Sequence, residues 1–95
     1  MPLAMSDLKL PSTLLHDQAD ACLAQCVAQW RLNMQPVVKL DASALVEFDS
    51  SALAVLLGLR RQVMAQGSAL HVIGMTARLR ELASLYGVLE LLGQA

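Results

Sequence analysis

The chain has 95 residues, of which 56% are hydrophobic and 16% are charged, and its formal net charge is −1. This length suits one domain with a single core, and the composition is typical of a folded protein. A net charge near zero provides no basic field, which argues against nucleic acid and anionic lipid surfaces as partners. The apolar fraction is high for so small a domain, so we expect part of the apolar surface to face another protein.

Membrane insertion and secretion are not expected. The longest unbroken apolar run, residues 52–57, is short because a spanning helix needs about 18 apolar residues. Residues 1–5 lack the basic region and long apolar core of a secretion signal, which predicts a cytoplasmic protein. Cys22 and Cys26 have a spacing that places both on one helix face, and we expect small core residues there, not a disulfide or zinc ligands.

The first part of the chain predicts a strand followed by a helix. Leu8–Leu10 alternates apolar and polar residues before a proline, as in a short edge strand. Apolar residues then recur at helical spacing as far as Trp30, and either Ser12 or Thr13 can cap this amphipathic helix. A turn and a second strand, buried on both faces, should come next.

The remaining elements continue this alternation. This second strand spans 37–40 and ends at Asp41. After it we expect a loop at 42–48, a helix at 51–66, a strand at 69–73 and a helix at 77–86. Gly67 and Gly87 provide helix stops, and Thr76 can cap the last helix. Residues 88–92 are either a short final strand or apolar packing. The order of elements predicts a single α/β domain with helices packed on a mostly parallel or mixed sheet.

The most informative segment is Phe48–Leu53, which joins a predicted strand to the apolar helix. Its sequence is Phe-Asp-Ser-Ser-Ala-Leu. A helix N-terminus has amide N–H groups without intrahelical partners and a partial positive charge. The hydroxyls of Ser50 and Ser51 can therefore cap the helix. Exposed on a loop, they can instead accept a phosphate or contact a partner that detects one.

Motifs for catalysis are missing from the sequence. It contains no P-loop, no dinucleotide-binding glycine pattern, no nucleophile elbow and no HExxH pair. His16 is predicted to be a surface residue of the first helix and His71 a strand residue, because nothing places either beside the serines. Asp41, Glu47 and Asp49 are acidic, but capping by Asp49 explains them better than a metal site. We expect no enzymatic activity, cofactor or bound metal.

The helix that follows Ser51 is apolar on every side of its first turns. Packing on a sheet requires only an apolar stripe, so small residues such as Val55 and Gly58 remain for an outward face, and arginines beside them can pair with acidic groups of a partner. A helix covered completely within the domain would have the same sequence. The positions predicted to bind a partner are Asp49, Ser50, Ser51, Ala52, Leu53, Ala54, Arg60 and Arg61.

Together these segments resemble the STAS domain, a family named for sulphate transporters and anti-sigma factor antagonists. The resemblance covers about residues 8–92. It is carried by Val-Lys-Leu-Asp at 38–41, Phe-Asp-Ser-Ser-Ala-Leu-Ala-Val-Leu-Leu at 48–57, Gly67 before a strand, and 79–88. It implies a single STAS-like α/β domain over residues 1–95.

The resemblance implies two alternative functions. One is that of the STAS subunit of the maintenance-of-lipid-asymmetry (Mla) phospholipid ABC transporter, which binds and regulates the cytoplasmic ATPase subunit. In that branch the hydroxyl residue after the aspartate, here Ser50, is important, and the protein reaches the inner membrane only through its partner. The other function is that of an anti-sigma factor antagonist, in which a partner kinase phosphorylates a serine matching Ser51, with Ser50 as a second candidate. Ala52 stands where antagonists usually have glycine, which favours the transporter branch.

Overall fold

Strands and helices alternate along the chain in the computed structural model, which describes residues 8–92. The strands are β1 (Leu8–Lys9), β2 (Thr13–Leu14), β3 (Val37–Asp41), β4 (Glu47–Phe48) and β5 (Ala69–Ile73). The helices are α1 (Ala19–Leu32), α2 (Ser51–Ala65) and α3 (Ala77–Leu85), with 3-10 turns at His16–Gln18 and Leu89–Leu92. No helix within this described part is both long and apolar enough to cross a membrane. Residues 1–5, where the sequence shows no secretion signal, lie outside it.

Parallel pairing organises the strands. β1, β3 and β5 form a sheet in the order β1-β3-β5, and β2 pairs with β4 in a second, two-stranded sheet. All of these pairs are parallel. Parallel strands require a long crossover between them, which α1 provides from β1 to β3 and α2 from β3 to β5. The predicted α/β class is confirmed.

The core lies between the helices and one face of the larger sheet. Val38 and Leu40 of β3 are buried, whereas Val37 and Lys39, which alternate with them, are exposed. The expectation of a strand buried on both faces is therefore wrong for β3. Its side chains alternate because the described helices cover a single face. Trp30 of α1 belongs to the buried cluster.

The start of α1 differs from the prediction. Neither Ser12 nor Thr13 caps it, because both residues serve β2: the Ser12 carbonyl accepts hydrogen bonds from two backbone N–H groups near β4, and Thr13 pairs with Glu47. The chain then makes a 3-10 turn, in which the Gln18 side chain accepts a hydrogen bond from the Leu15 N–H at 2.9 Å. The helix begins only at residue 19.

The second half of the chain follows the prediction closely. α2 ends beside Gly67, whose φ of +82° is the left-handed conformation that favours glycine after a helix. Thr76 caps α3, since its hydroxyl oxygen accepts a hydrogen bond from the Leu79 N–H at 3.3 Å. Residues 89–92 form a 3-10 turn with Leu92 buried, so the tail packs against the core and adds no strand.

Candidate functional site

Two short parallel strands bring the site together. In the β2–β4 pair, Thr13 lies opposite Glu47 and Leu14 lies opposite Phe48. Because parallel strands end on the same side, the residues that follow β2 and β4 come to lie side by side. His16 from the 3-10 turn and Asp49 from the loop before α2 are thereby placed in contact. The predicted loop at 42–48 thus contains a strand that the sequence did not reveal.

Asp49 caps α2. Its Oδ1 accepts a hydrogen bond from the Ser51 N–H at 2.8 Å, one of the amide groups that a helix start leaves without a partner. Ser50 already has helical backbone angles, φ −64° and ψ −14°, and its side chain makes no capping hydrogen bond. The capping role expected of Asp49 is therefore present, and the Ser50 side chain is not used for it.

The second oxygen of Asp49 binds the 3-10 turn. Oδ2 accepts a hydrogen bond from the His16 backbone N–H at 3.1 Å, and the Ser51 Oγ lies 3.4 Å from His16 Nδ1. Hydrogen bonds to a carboxylate favour its charged form. The Ser51 N–H, with smaller contributions from His16, therefore holds the pKa of Asp49 below its ordinary value. His16 was predicted to lie on a helix surface, and its contact with Asp49 was not predicted.

The Ser50 side chain is exposed at the edge of an open cleft. The cleft has a volume of about 430 Å³, and its lining residues come from the loop and from α3: Phe48, Asp49, Ser50, Arg78, Glu81, Leu82, Leu85 and Tyr86. Ser51 is only half-exposed beside it. The two serines therefore differ, since Ser50 is exposed whereas the hydroxyl of Ser51 contacts His16.

Large apolar side chains surround this cleft without being covered. Leu85 is 80% exposed, Tyr86 58% and Val46 66%. Arg78 of α3 contacts the β4 side of the cleft. Its guanidinium carbon lies 5.2 Å from the centre of the Phe48 ring, and its Nη1 donates a hydrogen bond to the Val46 carbonyl at 3.4 Å. We call Val46, Phe48, Ser50, Leu85 and Tyr86 the docking surface. Large apolar side chains left exposed close to one another are typical of protein interaction sites.

The structure places the predicted small-residue face of α2 mostly inside. Ala52 is fully buried and Leu53 is 3% exposed, so the expectation that they are open to a partner is wrong. Val55 and Gly58 are buried as well. The reason is that α2 packs on both the sheet and α1, which covers two sides of the helix. Ala54, one turn after Ser50, remains exposed on the outside.

Arg60 and Arg61 lie away from the loop. They come more than two helical turns after Ser50, and neither lines the cleft. Arg61 extends along the side of α2 that faces α1, where its guanidinium is 3.8 Å from the position of a Cβ built on Gly58. The structure therefore does not bring the two arginines together with the serines.

Asp41, Glu47 and His71 take no part in the site around Ser50. The Asp41 Oδ1 accepts a hydrogen bond from the Ser43 N–H at 2.8 Å, while Glu47 is exposed. No cluster suited to a metal ion occurs among residues 8–92. His71 is exposed on β5.

The two cysteines lie on one side of α1, as their spacing predicts. Cys26 is buried and Cys22 is half-buried at the cleft between β1 and α1. The thiol of Cys26 donates a hydrogen bond to Cys22, and this bond together with burial raises the pKa of Cys26, whereas acceptance of the same bond lowers the pKa of Cys22. Cys26 therefore behaves as the small core residue that we expected.

The fold and site together define a small α/β interaction domain with an exposed hydroxyl loop at the start of its central helix. A family model described as "Mlab, STAS domain" matches residues 3–93. The chain therefore belongs to the STAS domain family, as its sequence resemblance suggested. No curated protein matches the chain significantly. Family membership indicates a regulatory or protein-interaction domain.

Proposed function

We propose that this protein is a non-catalytic accessory subunit that binds and regulates the cytoplasmic ATPase of a phospholipid ABC transporter of the Mla type. The observation that carries the proposal is the exposed Ser50 hydroxyl, set beside the uncovered side chains of Leu85 and Tyr86. The "Mlab" description of the matching family model adds support. The protein would work in the cytoplasm and reach the inner membrane only through the ATPase.

The chemistry of the docking surface suits a folded protein partner. Burial of Leu85 and Val46 would remove apolar area from water, the main favourable term in association. Tyrosine is enriched among residues that dominate binding energy, and Tyr86 has both an apolar ring and a hydroxyl. Arg78 and Glu81 at the cleft provide the polar rim that such interfaces have.

Regulation needs no reaction in this domain. A subunit that binds only the folded ATPase stabilises it by mass action, and it can favour one of the conformations of the ATPase if it binds that conformation more tightly. The anchored loop suits this role, because a preformed binding surface loses little conformational entropy on association. Any effect on lipid would therefore be indirect.

The test is binding of Ser50→Arg to the ATPase subunit of a phospholipid transporter from the same organism. We expect at least a 30-fold loss of affinity, because a large charged side chain at the centre of an interface removes about 2 kcal/mol or more. Ser84→Arg is the matched control, since Ser84 is exposed on α3 but does not line the cleft. Titration calorimetry of both variants measures the difference.

Two results would reject the proposal. One is that wild-type protein, folded by circular dichroism, binds no transporter ATPase subunit. The other is that Ser50→Arg binds as tightly as Ser84→Arg. Leu53→Arg is unsuitable for this test, because Leu53 is in the core and the substitution would unfold the domain.

The anti-sigma factor antagonist is the second candidate, and the position of Ser51 favours it. Ser51 is the first residue of α2, where a phosphate would gain from the helix N-terminus but would be repelled by the Asp49 carboxylate. This candidate predicts one added phosphate on incubation with an anti-sigma factor kinase and ATP. Intact mass measurement of wild type, Ser51→Ala and Ser50→Ala would assign it.

A further inference from the structure

His16 contacts the site in two ways, once through its backbone and once through its ring. Its N–H donates to Asp49 Oδ2 at 3.1 Å, and its Nδ1 lies 3.4 Å from Ser51 Oγ. The Ser51 N–H donates to Asp49 Oδ1 at 2.8 Å. These three contacts form a closed ring of hydrogen bonds between residues up to 35 positions apart in the sequence.

The backbone and ring contacts of His16 are separable. Every residue except proline has a backbone N–H, so a side-chain substitution at position 16 leaves the bond to Asp49 available. The contact with Ser51 instead requires a hydrogen-bonding atom at the place of Nδ1. Asparagine can place its amide there, because the side chains share the same branching, whereas glutamine carries its amide one bond farther out.

The ring contact determines the rotamer of Ser51. A serine side chain has three staggered χ1 positions, and in a helix its hydroxyl can also turn back to the backbone. The His16 ring at 3.4 Å favours the rotamer that points toward it, and the Asp49 carboxylate, which also interacts with the Ser51 side chain, lies on the same side. With Ser51 held in this way, Ser50 is the hydroxyl that remains exposed at the cleft.

The arrangement is not that of a catalytic triad. In such a triad the carboxylate binds the second ring nitrogen of the histidine and orients the ring as a base. Here the two Asp49 oxygens accept hydrogen bonds from backbone N–H groups of His16 and Ser51. The ring therefore has a contact that orients the serine hydroxyl and no contact from Asp49 that would orient it as a base.

We infer that His16 is the positioning residue of the loop at 49–51: its ring fixes the Ser51 side chain and so presents Ser50 alone to the partner. The effect on the partner rests on the proposed function, whereas the effect on Ser51 does not. Loss of the ring contact lets the Ser51 side chain sample other rotamers, and association with the partner must then order that side chain.

The test compares His16→Asn, His16→Gln and His16→Leu in the full chain. The first readout is the rotamer of Ser51, from its three-bond Hα–Hβ couplings in NMR spectra of the free protein. We expect unequal couplings typical of one rotamer in wild type and in His16→Asn, and averaged couplings in His16→Gln and His16→Leu. The second readout is affinity for the transporter ATPase subunit, which we expect to fall about threefold to tenfold only in the two averaged variants.

The two readouts separate the inference from the proposed function. If the couplings change as expected but wild type binds no ATPase subunit, the positioning role stands and the proposed function is rejected. Unchanged couplings in His16→Leu would overturn the positioning role. Equal rescue by glutamine and asparagine would also overturn it, because any polar side chain would then suffice. Should His16→Leu fail to fold, the asparagine and glutamine variants decide the question alone.

Discussion

Two turns of this domain have the same local chemistry and opposite surroundings. Asp41-Ala42-Ser43 follows β3, and Asp49-Ser50-Ser51 follows β4. In each turn the aspartate Oδ1 accepts a hydrogen bond from the N–H of the serine two residues later, at 2.8 Å in both cases. This bond is a common way for aspartate to stabilise a turn or a helix start.

The residues around the two turns differ. The first turn points inward, since Ala42 is fully buried and Gly74 packs closely against the turn. The second turn points outward, since its middle residue is the exposed Ser50 and its neighbours are His16 and the cleft. The same hydrogen bond therefore serves a buried structural turn at one place and an exposed loop at the other. What distinguishes them is the packing around the middle residue.

The largest expected effect comes from closing the space at the first turn. A Cβ on Gly74 would lie 2.8 Å from Asp41 Oδ1 and 3.0 Å from Ser43 Cβ, at a φ of +69°. We expect Gly74→Ala to lower the free energy of unfolding by about 2 to 4 kcal/mol, because strain and overpacking add. Urea denaturation measures this change.

Gly67→Ala is the matched control for Gly74→Ala. Gly67 also has positive φ, +82°, but nothing lies within 4 Å of its Cβ position. Strain alone then costs about 1 to 2 kcal/mol. Equal losses for the two variants would show that Gly74 is not needed for space at the first turn.

Substitutions at the middle residue of each turn, Ala42 and Ser50, test whether the first turn points inward and the second outward. Ala42→Ser would bury a hydroxyl in the core, which we expect to cost about 1 to 3 kcal/mol in the free energy of unfolding. Ser50→Ala should change it by less than about 0.5 kcal/mol, since the Ser50 side chain is exposed and makes no cap. Denaturation of both variants in urea is the measurement, and similar costs at the two positions would contradict the inward and outward assignment.

A smaller effect concerns the contact that holds the second turn against α3. Arg78 lies over the Phe48 ring at 5.2 Å, and an exposed cation–π pair contributes about 0.5 to 1 kcal/mol. We expect Arg78→Ala to destabilise Phe48→Leu less than wild type, by about this amount, because only the hydrogen bond to the Val46 carbonyl is then lost. A double-mutant cycle isolates the pair, and additive losses would show that the two side chains do not interact.

The smallest expected effect is a dependence of stability on pH. A hydrogen bond from the Ser51 N–H holds the pKa of Asp49 below its ordinary value, and the Ser43 hydroxyl and N–H do the same for Asp41. For a depressed pKa, the added stability is present above the unfolded value, about 3.9, and is lost as the pH falls through the folded value.

Replacing these carboxylates should therefore reduce the loss of stability in acid. Asp49→Asn keeps an acceptor for the Ser51 N–H but removes the titrating group. We expect the urea midpoint to fall less between pH 6 and pH 3 in Asp49→Asn than in wild type, and less still with Asp41→Asn added. Parallel pH profiles in all three proteins would contradict the assignment of these carboxylates.

Much of the fold was predictable because its signals are local. Thr76 marks the start of α3, and Gly67 marks the end of α2. Both signals depend on hydrogen bonds between residues only three or four positions apart. The alternation of strands and helices requires no knowledge of distant contacts. The same reasoning failed for Ser12 and Thr13, which have the composition of a cap but pair with β4 instead.

The candidate site was only partly predictable. Asp49, Ser50 and Ser51 were identified because they stand at a helix start, and Asp49 does cap it. Ala52 and Leu53 were misplaced, since the rotation of α2 about its axis is set by contacts with both α1 and the sheet. β2 has only two residues, too few to show an alternating pattern, so the sequence carried no signal for the strand that brings His16 to the site.

The sequence by itself determined the α/β class, the order of elements, the ends of α2 and α3, and the polar turn before α2, because each depends on residues close together in the chain. Tertiary structure alone decided that His16 meets Ser51 across 35 positions and that Leu85 and Tyr86 lie at the cleft beside Ser50. Those meetings depend on parallel pairing and helix packing, which join distant segments whose individual sequences carry little information about their partners.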